Sequence, residues 1–200
     1  MARPTHIPLT SPDSGSVGAW LTGAAIAGLY VATLIAIARG GTARLVILAG
    51  ATFALRGLVL AFGYHLYFVR RAFEVSRPMQ LVLAVLGTTA GQGGPLTWTA
   101  IHRMRSPASP RGSNLVDRVR ASRAGLFVAR AHEAARLDLV PELAGYPELR
   151  LVDRWSIVGP LTMMVLLLAI GGVDALLWGF CVSTCALFHA TVTLGLFERT

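Results

Sequence analysis

Residues 45–68 read LVILAGATFALRGLVLAFGYHLYF, and this stretch decides the fold because it is long enough and apolar enough to cross a lipid bilayer. A transmembrane helix needs about 20 consecutive, predominantly apolar residues. Three further stretches have the same character, at 17–38, 155–173 and 175–197, and Gly171-Gly-Val-Asp174 indicates a hairpin turn between the last two. The sequence therefore predicts an all-α integral membrane protein with about four transmembrane helices.

The composition of the chain favours the same class. Hydrophobic residues make up 54% of the 200 residues and charged residues only 14%, against roughly 25% charged in a typical soluble domain. A soluble globule needs a polar surface, and this chain has too few polar residues to form one. The 18 basic residues are all Arg and give a net charge of +8. Between long uncharged blocks, this charge favours anionic lipid head groups and not nucleic acid as the partner.

The predicted organisation is a flexible N-terminal tail at 1–16 and a single membrane domain at 17–200. The uncharged stretch 79–101 is interrupted by Gly91-Gln-Gly-Gly-Pro95, because Gly and Pro this dense break a helix. We expect this stretch to be interfacial or re-entrant, with a full crossing as the alternative. Residues 102–154 hold ten of the arginines and six of the ten acidic residues. They predict a cytoplasmic helical cap outside the membrane.

The distribution of arginines predicts the topology. Residues 70–154 contain 13 arginines and the turn at 39–44 contains two, so the positive-inside rule places 70–154 in the cytoplasm. Four spans then leave both termini cytoplasmic, and we expect a bacterial inner-membrane protein. A signal peptide is the competing interpretation of 17–38. The apolar run is longer than the usual signal core of about 7–15 residues, which favours a retained helix.

A few polar residues lie inside or beside the apolar blocks. Arg56 lies in the middle of 45–68, where an ionisable side chain costs several kcal/mol unless it faces protein or water. It is predicted to point into the bundle, as a structural ion pair or in a functional role. Cys181 and Cys185 are predicted to be two small buried residues. His65 and His102 end two apolar blocks, and they are candidate metal ligands or simply polar residues at the membrane interface.

The residues around these two histidines resemble a known family. Gly63-Tyr-His-Leu-Tyr-Phe-Val-Arg-Arg-Ala-Phe73 resembles the first histidine box, G-Y-H-R-Y-F-x-H-R-x-F, of membrane acyl-CoA (fatty acid) desaturases of the stearoyl-CoA desaturase type. Residues 76–98 are similar to the link that leads to the second box, H-R-x-H-H-x-x-S-D. That box falls on His102-Arg-Met-Arg-Ser-Pro-Ala-Ser-Pro110. The resemblance covers about residues 45–200, including 146–154 and 178–191.

The resemblance implies a fold, a chemistry and partners. The family has four membrane helices under a cytoplasmic cap, and about nine histidines hold a di-iron (Fe) centre. The centre activates O2, which removes hydrogens from an acyl-CoA or acyl lipid whose chain lies in a bent tunnel. Electrons come from a donor of the cytochrome b5 or ferredoxin type. Gln92 and Trp98 take substrate-binding positions by this resemblance, with helix packing and interface anchoring as their alternative roles.

The ligand positions depart from the family pattern. His65 and His102 match metal-ligand positions, whereas the other covered positions carry residues that do not match: Arg70, Arg105, Ser106 and Arg199 in place of histidines, and Gly195 in place of an Asn. Arginine offers no lone pair to a metal. A last histidine box would lie beyond Thr200, so the resemblance implies a degenerate, C-terminally truncated member in which iron is not fully bound.

Three functional hypotheses follow. The first is an enzyme of the fatty acid desaturase family, an oxidoreductase, that is catalytically impaired as this chain stands and active only if another chain completes its site. No catalytic residue is assigned to it. The second is a non-catalytic membrane pseudoenzyme that binds acyl chains or a partner. The third, from another class, is a haem protein that uses His65 and His189, since two histidines can ligate haem.

Overall fold

The computed structural model describes residues 13–103 and 140–193, and within these ranges every regular element is helical. Helix α1 is Asp13–Arg39. Helix α2 is Ala43–Leu58, and it continues without a break as a π-helical segment, Val59–Val69. The all-α class predicted from the sequence is therefore confirmed for the described part of the chain.

The remaining helices are short until the chain reaches a second long apolar run. They are α3 (Arg77–Thr88), α4 (Pro95–Arg103), α5 (Pro141–Ala144), α6 (Pro147–Arg154) and α7 (Val158–Leu176). Helix α8 is one continuous run made of a π-helical segment, an α-helical segment and a second π-helical segment: Leu177–Val182, Ser183–Phe188 and His189–Thr193.

Within 13–103 and 140–193, two helical runs are long and apolar enough to cross a bilayer, Ala43–Val69 and Val158–Thr191, and Gly23–Arg39 is a shorter apolar helix. The second run reverses direction within itself. Gly172 has φ 68° and ψ −163°, which are not helical angles. Beyond it the chain folds back on the segment before the turn: a Cβ on Gly179 would lie 3.0 Å from Cδ2 of Leu167. Glycine suits this turn because it adopts positive φ without the steric penalty of a side chain.

Several predicted boundaries differ in the structure. Helix α1 begins at Asp13, inside the stretch predicted as a flexible tail. The predicted span 155–173 begins at Val158, because residues 155–157 form a turn and 147–154 form a separate helix. Pro147 supplies a fixed φ and lacks the N–H that a first helical turn leaves unused, which explains why α6 starts there. The predicted stretch 79–101 is the hairpin of α3 and α4.

The first segment of α8 forms the centre of one half of the bundle. Helices α1, α2 and α7 all pack against Leu177–Val182. The buried residues of this cluster are Ala36, Leu177, Phe180 and Cys181. Cys181 and Cys185 are buried and not in a disulfide, as the sequence predicts. A second cluster surrounds Tyr64 and Phe68 of the π-helical segment and includes residues of α3, α4, α5, α6 and α8: Ala84, Leu96, Trp98, Leu143, Leu149 and Leu187.

Ion pairs mark the two ends of the bundle. At one end, Arg39 lies 3.1 Å from Asp174, and the indole of Trp178 covers the backbone of Gly41. At the other end, Arg71 pairs with Glu142 at 3.0 Å, and Arg77 pairs with Glu148 at 2.6 Å. The turns at 40–42 and 171–174 therefore share one end, while the 70–77 segment and the α5–α6 segment share the opposite end.

The Arg77–Glu148 pair gives a pH dependence of stability. The Arg77 guanidinium, which donates two hydrogen bonds to Glu148, holds the pKa of that carboxyl below its ordinary value. A lowered pKa in the folded state contributes stability that is present above the ordinary glutamate pKa and lost as pH falls through the lowered value. The difference in stability between the native chain and Glu148→Gln should therefore shrink on acidification. Thermal unfolding of both proteins across this acidic range measures it, and a difference that grows with acidification contradicts the assignment.

Candidate functional site

The two candidate metal ligands come together at the junction of α2 and α4. His65 lies in the π-helical segment Val59–Val69 and is 7% exposed, and His102 lies near the end of α4. Their ring centroids are 6.2 Å apart, with the rings nearly perpendicular at 72°. Residues 37 positions apart in sequence are thus neighbours in the fold.

The imidazole of His102 is oriented by its own helix. It stacks on the indole of Trp98 one turn earlier, with centroids 4.5 Å apart and planes at 30°. Its Nδ1 lies 2.9 Å from the backbone carbonyl oxygen of Trp98. Since a carbonyl only accepts, Nδ1 carries the proton and the lone pair of the neutral ring is on Nε2. A backbone carbonyl commonly fixes metal-ligating histidines in this way.

Tyr64 connects this pair to the α3–α4 hairpin. Its side chain is fully buried, and its ring centroid lies 5.8 Å from that of Trp98. Its hydroxyl donates to the carbonyl oxygens of Ala84 at 3.1 Å and Gly93 at 3.4 Å. The ring packs directly on the backbone of Gly87, where a Cβ would lie only 2.6 Å from Cδ1 of Tyr64. Tyr64 therefore packs on Trp98 and the α3–α4 hairpin, whereas its neighbour His65 packs on His102.

Gln92 lies in the turn between α3 and α4 and reaches across to α8. Its side chain is 4% exposed, and its Nε2 donates to Oγ1 of Thr191 at 2.9 Å. Thr191 is 2% exposed and donates in turn to the carbonyl of Leu187. The turn is tight because Gly91 and Gly93 adopt φ of 70° and 92°. This geometry lets a polar side chain enter the bundle interior.

Two buried polar atoms of the predicted substrate residues lack partners. Neither Oε1 of Gln92 nor Nε1 of Trp98 forms a hydrogen bond with any residue in the described ranges 13–103 and 140–193. Buried polar groups are satisfied in the large majority of cases. Both side chains are 96% buried. The Gln92 oxygen could accept a hydrogen bond, and the Trp98 N–H could donate one, to a ligand or to a residue outside these ranges.

The two candidate ligands have no third metal-ligating side chain beside them among the described residues. Within residues 13–103 and 140–193, no group of three or more His, Cys, Asp or Glu side chains could hold a metal ion. Arg70 is exposed at the end of the π-helical segment, and its backbone N–H donates to the carbonyl of His65 at 3.0 Å. The other predicted positions, Arg105, Ser106, Gly195 and Arg199, lie outside the described residues. Two imidazoles by themselves do not fit the requirements of a di-iron centre.

The structure gives no support to the haem hypothesis. His189 is exposed on α8, and the hydroxyl of Tyr30 lies 2.8 Å from its Nε2. His65 is buried and faces His102. The two histidines of the haem hypothesis therefore have different partners on different helices.

Sequence reasoning missed two residues of this site. Thr191 belongs to a stretch already matched to the last helix of the family, but it was given no role, since its partner Gln92 is 99 positions away. Tyr64 lies in the motif at 63–73, but its two carbonyl acceptors are 20 and 29 positions away and have no signal in the sequence. A polar residue inside an apolar helix was the only available signal for Thr191.

Comparison with known proteins adds a second line of argument. The chain is 28% identical over 169 residues to a hex-5-enoyl-[acyl-carrier protein] acetylenase of Moorena producens, covering 73% of this chain and 53% of that protein. It is 25% identical over 141 residues to an sn-1 stearoyl-lipid 9-desaturase of Anabaena variabilis, covering 68% and 51%. A Synechocystis protein of the same name is 24% identical over 145 residues, covering 68% and 44%.

The chain is thus similar in sequence to fatty acid desaturases and to a fatty acyl acetylenase. The relatives confirm the resemblance to fatty acid desaturases in general, but not to the acyl-CoA type in particular, because their names specify acyl groups on a carrier protein or a lipid. The desaturase-like chain spans about half the length of the curated relatives that it matches. No family model and no solved structure matches it.

Proposed function

We propose that this desaturase-like chain is an integral membrane protein that binds a fatty acyl chain inside its helical bundle and is impaired in desaturation as it stands. The observation that carries the proposal is the convergence of the site. His65 and His102 lie ring to ring beside Trp98, and Gln92 spans from the adjacent turn to Thr191. These are the ligand and tunnel positions that the family resemblance implies.

Membrane insertion is supported by the surface of the bundle. Large apolar side chains are exposed along α1, α7 and α2 with its π-helical continuation, among them Leu34, Ile47, Phe62, Leu166 and Ile170. An exposed apolar surface this extensive is unusual for a soluble monomer, whereas a bilayer would cover it. The α3–α4 hairpin fits a re-entrant position. Its helices of 12 and 9 residues span about 18 and 14 Å, less than the roughly 30 Å of the hydrocarbon core.

The proposed orientation places the end with the 70–77 segment and the α5–α6 segment in the cytoplasm. That end carries Arg70, Arg71, Arg77, Arg150 and Arg154, whereas the opposite end carries Arg39 and Arg44. The positive-inside rule favours the arginine-rich end as cytoplasmic. This orientation leaves both termini in the cytoplasm of a bacterial inner-membrane protein.

The proposed ligand is a fatty acyl chain carried by a lipid, an acyl-carrier protein or coenzyme A. The buried side chains that cluster with Trp98 are apolar and aromatic, and they include Tyr64, Phe68, Leu96 and Leu187. Gln92 and Trp98 supply one acceptor and one donor at this position. Apolar walls with few polar groups are the usual composition of a small-molecule site.

Impairment of desaturation is proposed from the ligand set. Arg70, Arg105, Ser106 and Arg199 stand where the resemblance implies histidines, and arginine stays protonated and cannot ligate. A working relative would use its iron pair to activate O2 with electrons from a cytochrome b5-type or ferredoxin-type donor. The proposal therefore assigns this chain acyl binding and assigns no catalytic residue.

Iron-dependent desaturation is the second candidate function, and one observation favours it. The Nδ1 of His102 is held by the Trp98 carbonyl so that Nε2 is the atom with the lone pair, which is the arrangement expected of a metal ligand. This candidate predicts close to two irons per chain and a new double bond in the acyl product.

One preparation tests both candidates. The detergent-purified chain is assayed for iron by elemental analysis and for binding of a fluorescent fatty acid of stearoyl length. We expect well under one iron per chain, saturable binding, and about tenfold weaker binding, or about 1.4 kcal/mol, in Trp98→Leu, because the indole forms one wall of the site. Trp155→Leu is the matched control, because Trp155 is 56% exposed in the turn before α7.

Two results would count against this proposal. Close to two irons per chain together with a desaturated product would replace acyl binding with the second candidate. Absence of saturable binding in the native chain, or equal effects of Trp98→Leu and Trp155→Leu, would remove the acyl site from the position described.

A further inference from the structure

The start of α4 is held by a carboxylate from another helix. Oδ1 of Asp153, on α6, accepts hydrogen bonds from the backbone N–H groups of Leu96 and Thr97, each at 2.9 Å. Its Oδ2 accepts from the hydroxyl of Thr97 at 2.9 Å. The first N–H groups of a helix have no partner within the helix, and here one side chain satisfies two of them.

The local sequence cannot supply this cap. Helix α4 begins at Pro95, and the two residues before it are Gly93 and Gly94, which have no side chains that could accept hydrogen bonds. Ser, Thr, Asp or Asn usually fills that role. The absence of a side chain at Gly94 is also what lets α6 approach, since a Cβ there would lie 2.5 Å from Cα of Asp153.

The carboxylate is placed on a firm support. Leu149 of α6, four residues before Asp153, is fully buried in the cluster around Tyr64. A negative group at a helix N-terminus is favoured by the helix dipole. Burial raises the pKa of Asp153, and the hydrogen bonds from Thr97 and Leu96 oppose that rise. The carboxylate of Asp153 is therefore partly buried where it caps the N-terminus of α4.

Helix α4 carries the residues that matter for the site. It has nine residues, and an isolated helix of that length is not stable in water. Its position therefore depends on tertiary contacts at its ends. Trp98 and His102 lie one and two turns beyond the capped end, and their rings stack on each other. A change at the start of α4 would be transmitted to both rings.

We propose that Asp153 is a positioning residue, which fixes the start of α4 and thereby places Trp98 against Tyr64 and His102 against His65. The inference deepens the proposed function, and the part of its test that measures acyl binding rests on that function. The part that measures chemical modification of His102 does not rest on it, because the modification rate reports on the position of α4 itself.

The test measures the rate at which diethyl pyrocarbonate modifies His102, by mass spectrometry, in the full chain at a temperature well below unfolding. His189, exposed on α8, is the internal reference. We expect Asp153→Ala to raise the His102 rate about fivefold, because loss of the cap lets α4 open locally. Asp153→Asn should stay close to the native rate, since its remaining oxygen still accepts from Leu96 and Thr97. Glu148→Gln, on the same helix, should leave the rate unchanged.

Thr97→Val covers the case in which Asp153→Ala does not fold. It removes only the hydrogen bond to Oδ2, and we expect about a twofold rise in the His102 rate. Equal His102 rates in Asp153→Ala and Glu148→Gln, or in Thr97→Val and the native chain if Asp153→Ala does not fold, would overturn the proposal. A purely structural role would lower the unfolding temperature without changing the His102 rate below it.

Acyl binding separates failure of this inference from failure of the proposed function. We expect Asp153→Ala to bind the fluorescent fatty acid about tenfold more weakly than the native chain, and Asp153→Asn to recover most of the affinity. If the native chain does not bind the fatty acid, the proposed function fails, and the His102 rates still decide the role of Asp153.

Discussion

Removing the two hydroxyl groups that accept hydrogen bonds from Arg56 should destabilise the protein by about 3–5 kcal/mol. The side chain of Arg56 is 2% exposed in the middle of α2. It donates to the hydroxyls of Ser183 and Thr184 on α8, the latter at 2.7 Å, and to the carbonyls of Thr52 and Thr89. The double variant Ser183→Ala/Thr184→Val leaves a buried charge with fewer acceptors.

The size of this effect follows from the absence of a counter-charge. Arg56 forms no ion pair with any carboxylate in the described part of the chain, and the ring of Phe180 lies 5.5 Å from its guanidinium carbon. The sequence predicted correctly that Arg56 points into the bundle. The ion-pair alternative is not seen among the described residues, and hydroxyls and carbonyls take its place. Each hydrogen bond to a charged group contributes about 1.5–3 kcal/mol.

A comparison of backgrounds makes this prediction specific. Arg56→Met should be less destabilising than Ser183→Ala/Thr184→Val, because it removes the buried charge together with the need for its acceptors. In the Arg56→Met background, the two hydroxyl changes should cost about 1 kcal/mol or less. Thr33→Val on α1 is the control, since among the described residues that hydroxyl donates to the carbonyl of Leu29 in its own helix. Equal cost in both backgrounds, measured by unfolding in detergent, would show that the hydroxyls act independently of Arg56.

Gly87→Ala should be the second severe change, with a loss of about 2 kcal/mol of stability or more. Alanine is normally the better residue inside a helix by about 1 kcal/mol, but here its Cβ would overlap the ring of Tyr64. That ring is fully buried and hydrogen-bonded to Ala84 and Gly93, so it has no space into which it can move. Because Tyr64 contacts Trp98, acyl binding should weaken as well.

A matched glycine provides the control. Gly50 lies in α2, and nothing lies within 4 Å of a Cβ built on it, so Gly50→Ala should be neutral or stabilising by up to about 1 kcal/mol. Tyr64→Leu should make Gly87→Ala less destabilising, because the smaller side chain removes the overlap. Unfolding in detergent is compared for Gly87→Ala, Gly50→Ala, Tyr64→Leu and the double variant Tyr64→Leu/Gly87→Ala. A Gly87→Ala protein as stable as Gly50→Ala would contradict the packing described.

The sequence predicted the parts of the structure that depend on local pattern. Apolar length predicted the helical run around 45–68, and glycines marked the reversal that the structure places at Gly172. The family resemblance assigned His65 and His102 as metal ligands. Their ring centroids lie 6.2 Å apart, and their role as ligands stays a prediction. Whether four helices cross the membrane stays a prediction, because two runs pass the length and composition test among the described residues.

The parts that the sequence did not predict depend on partners far away in the chain. Asp153 caps a helix that begins 58 positions earlier, and Thr191 accepts from a glutamine 99 positions earlier. Neither residue has a local signature, because a capping carboxylate normally precedes the helix that it caps. The start of the hairpin at Val158 was also missed. A separate short helix, Pro147–Arg154, precedes the hairpin, and apolar length alone does not reveal where that helix ends.

The central position of Leu177–Val182 has a consequence for the order of biosynthesis. Helices α1 and α2 both pack against this segment, yet the ribosome synthesises it more than a hundred residues after them. The two early helices must therefore remain without this partner until Leu177–Val182 has been synthesised. Synthesis proceeds at about 5–20 residues per second, so this interval lasts several seconds. During it, a chaperone or the insertion machinery can contact the faces that the finished bundle buries.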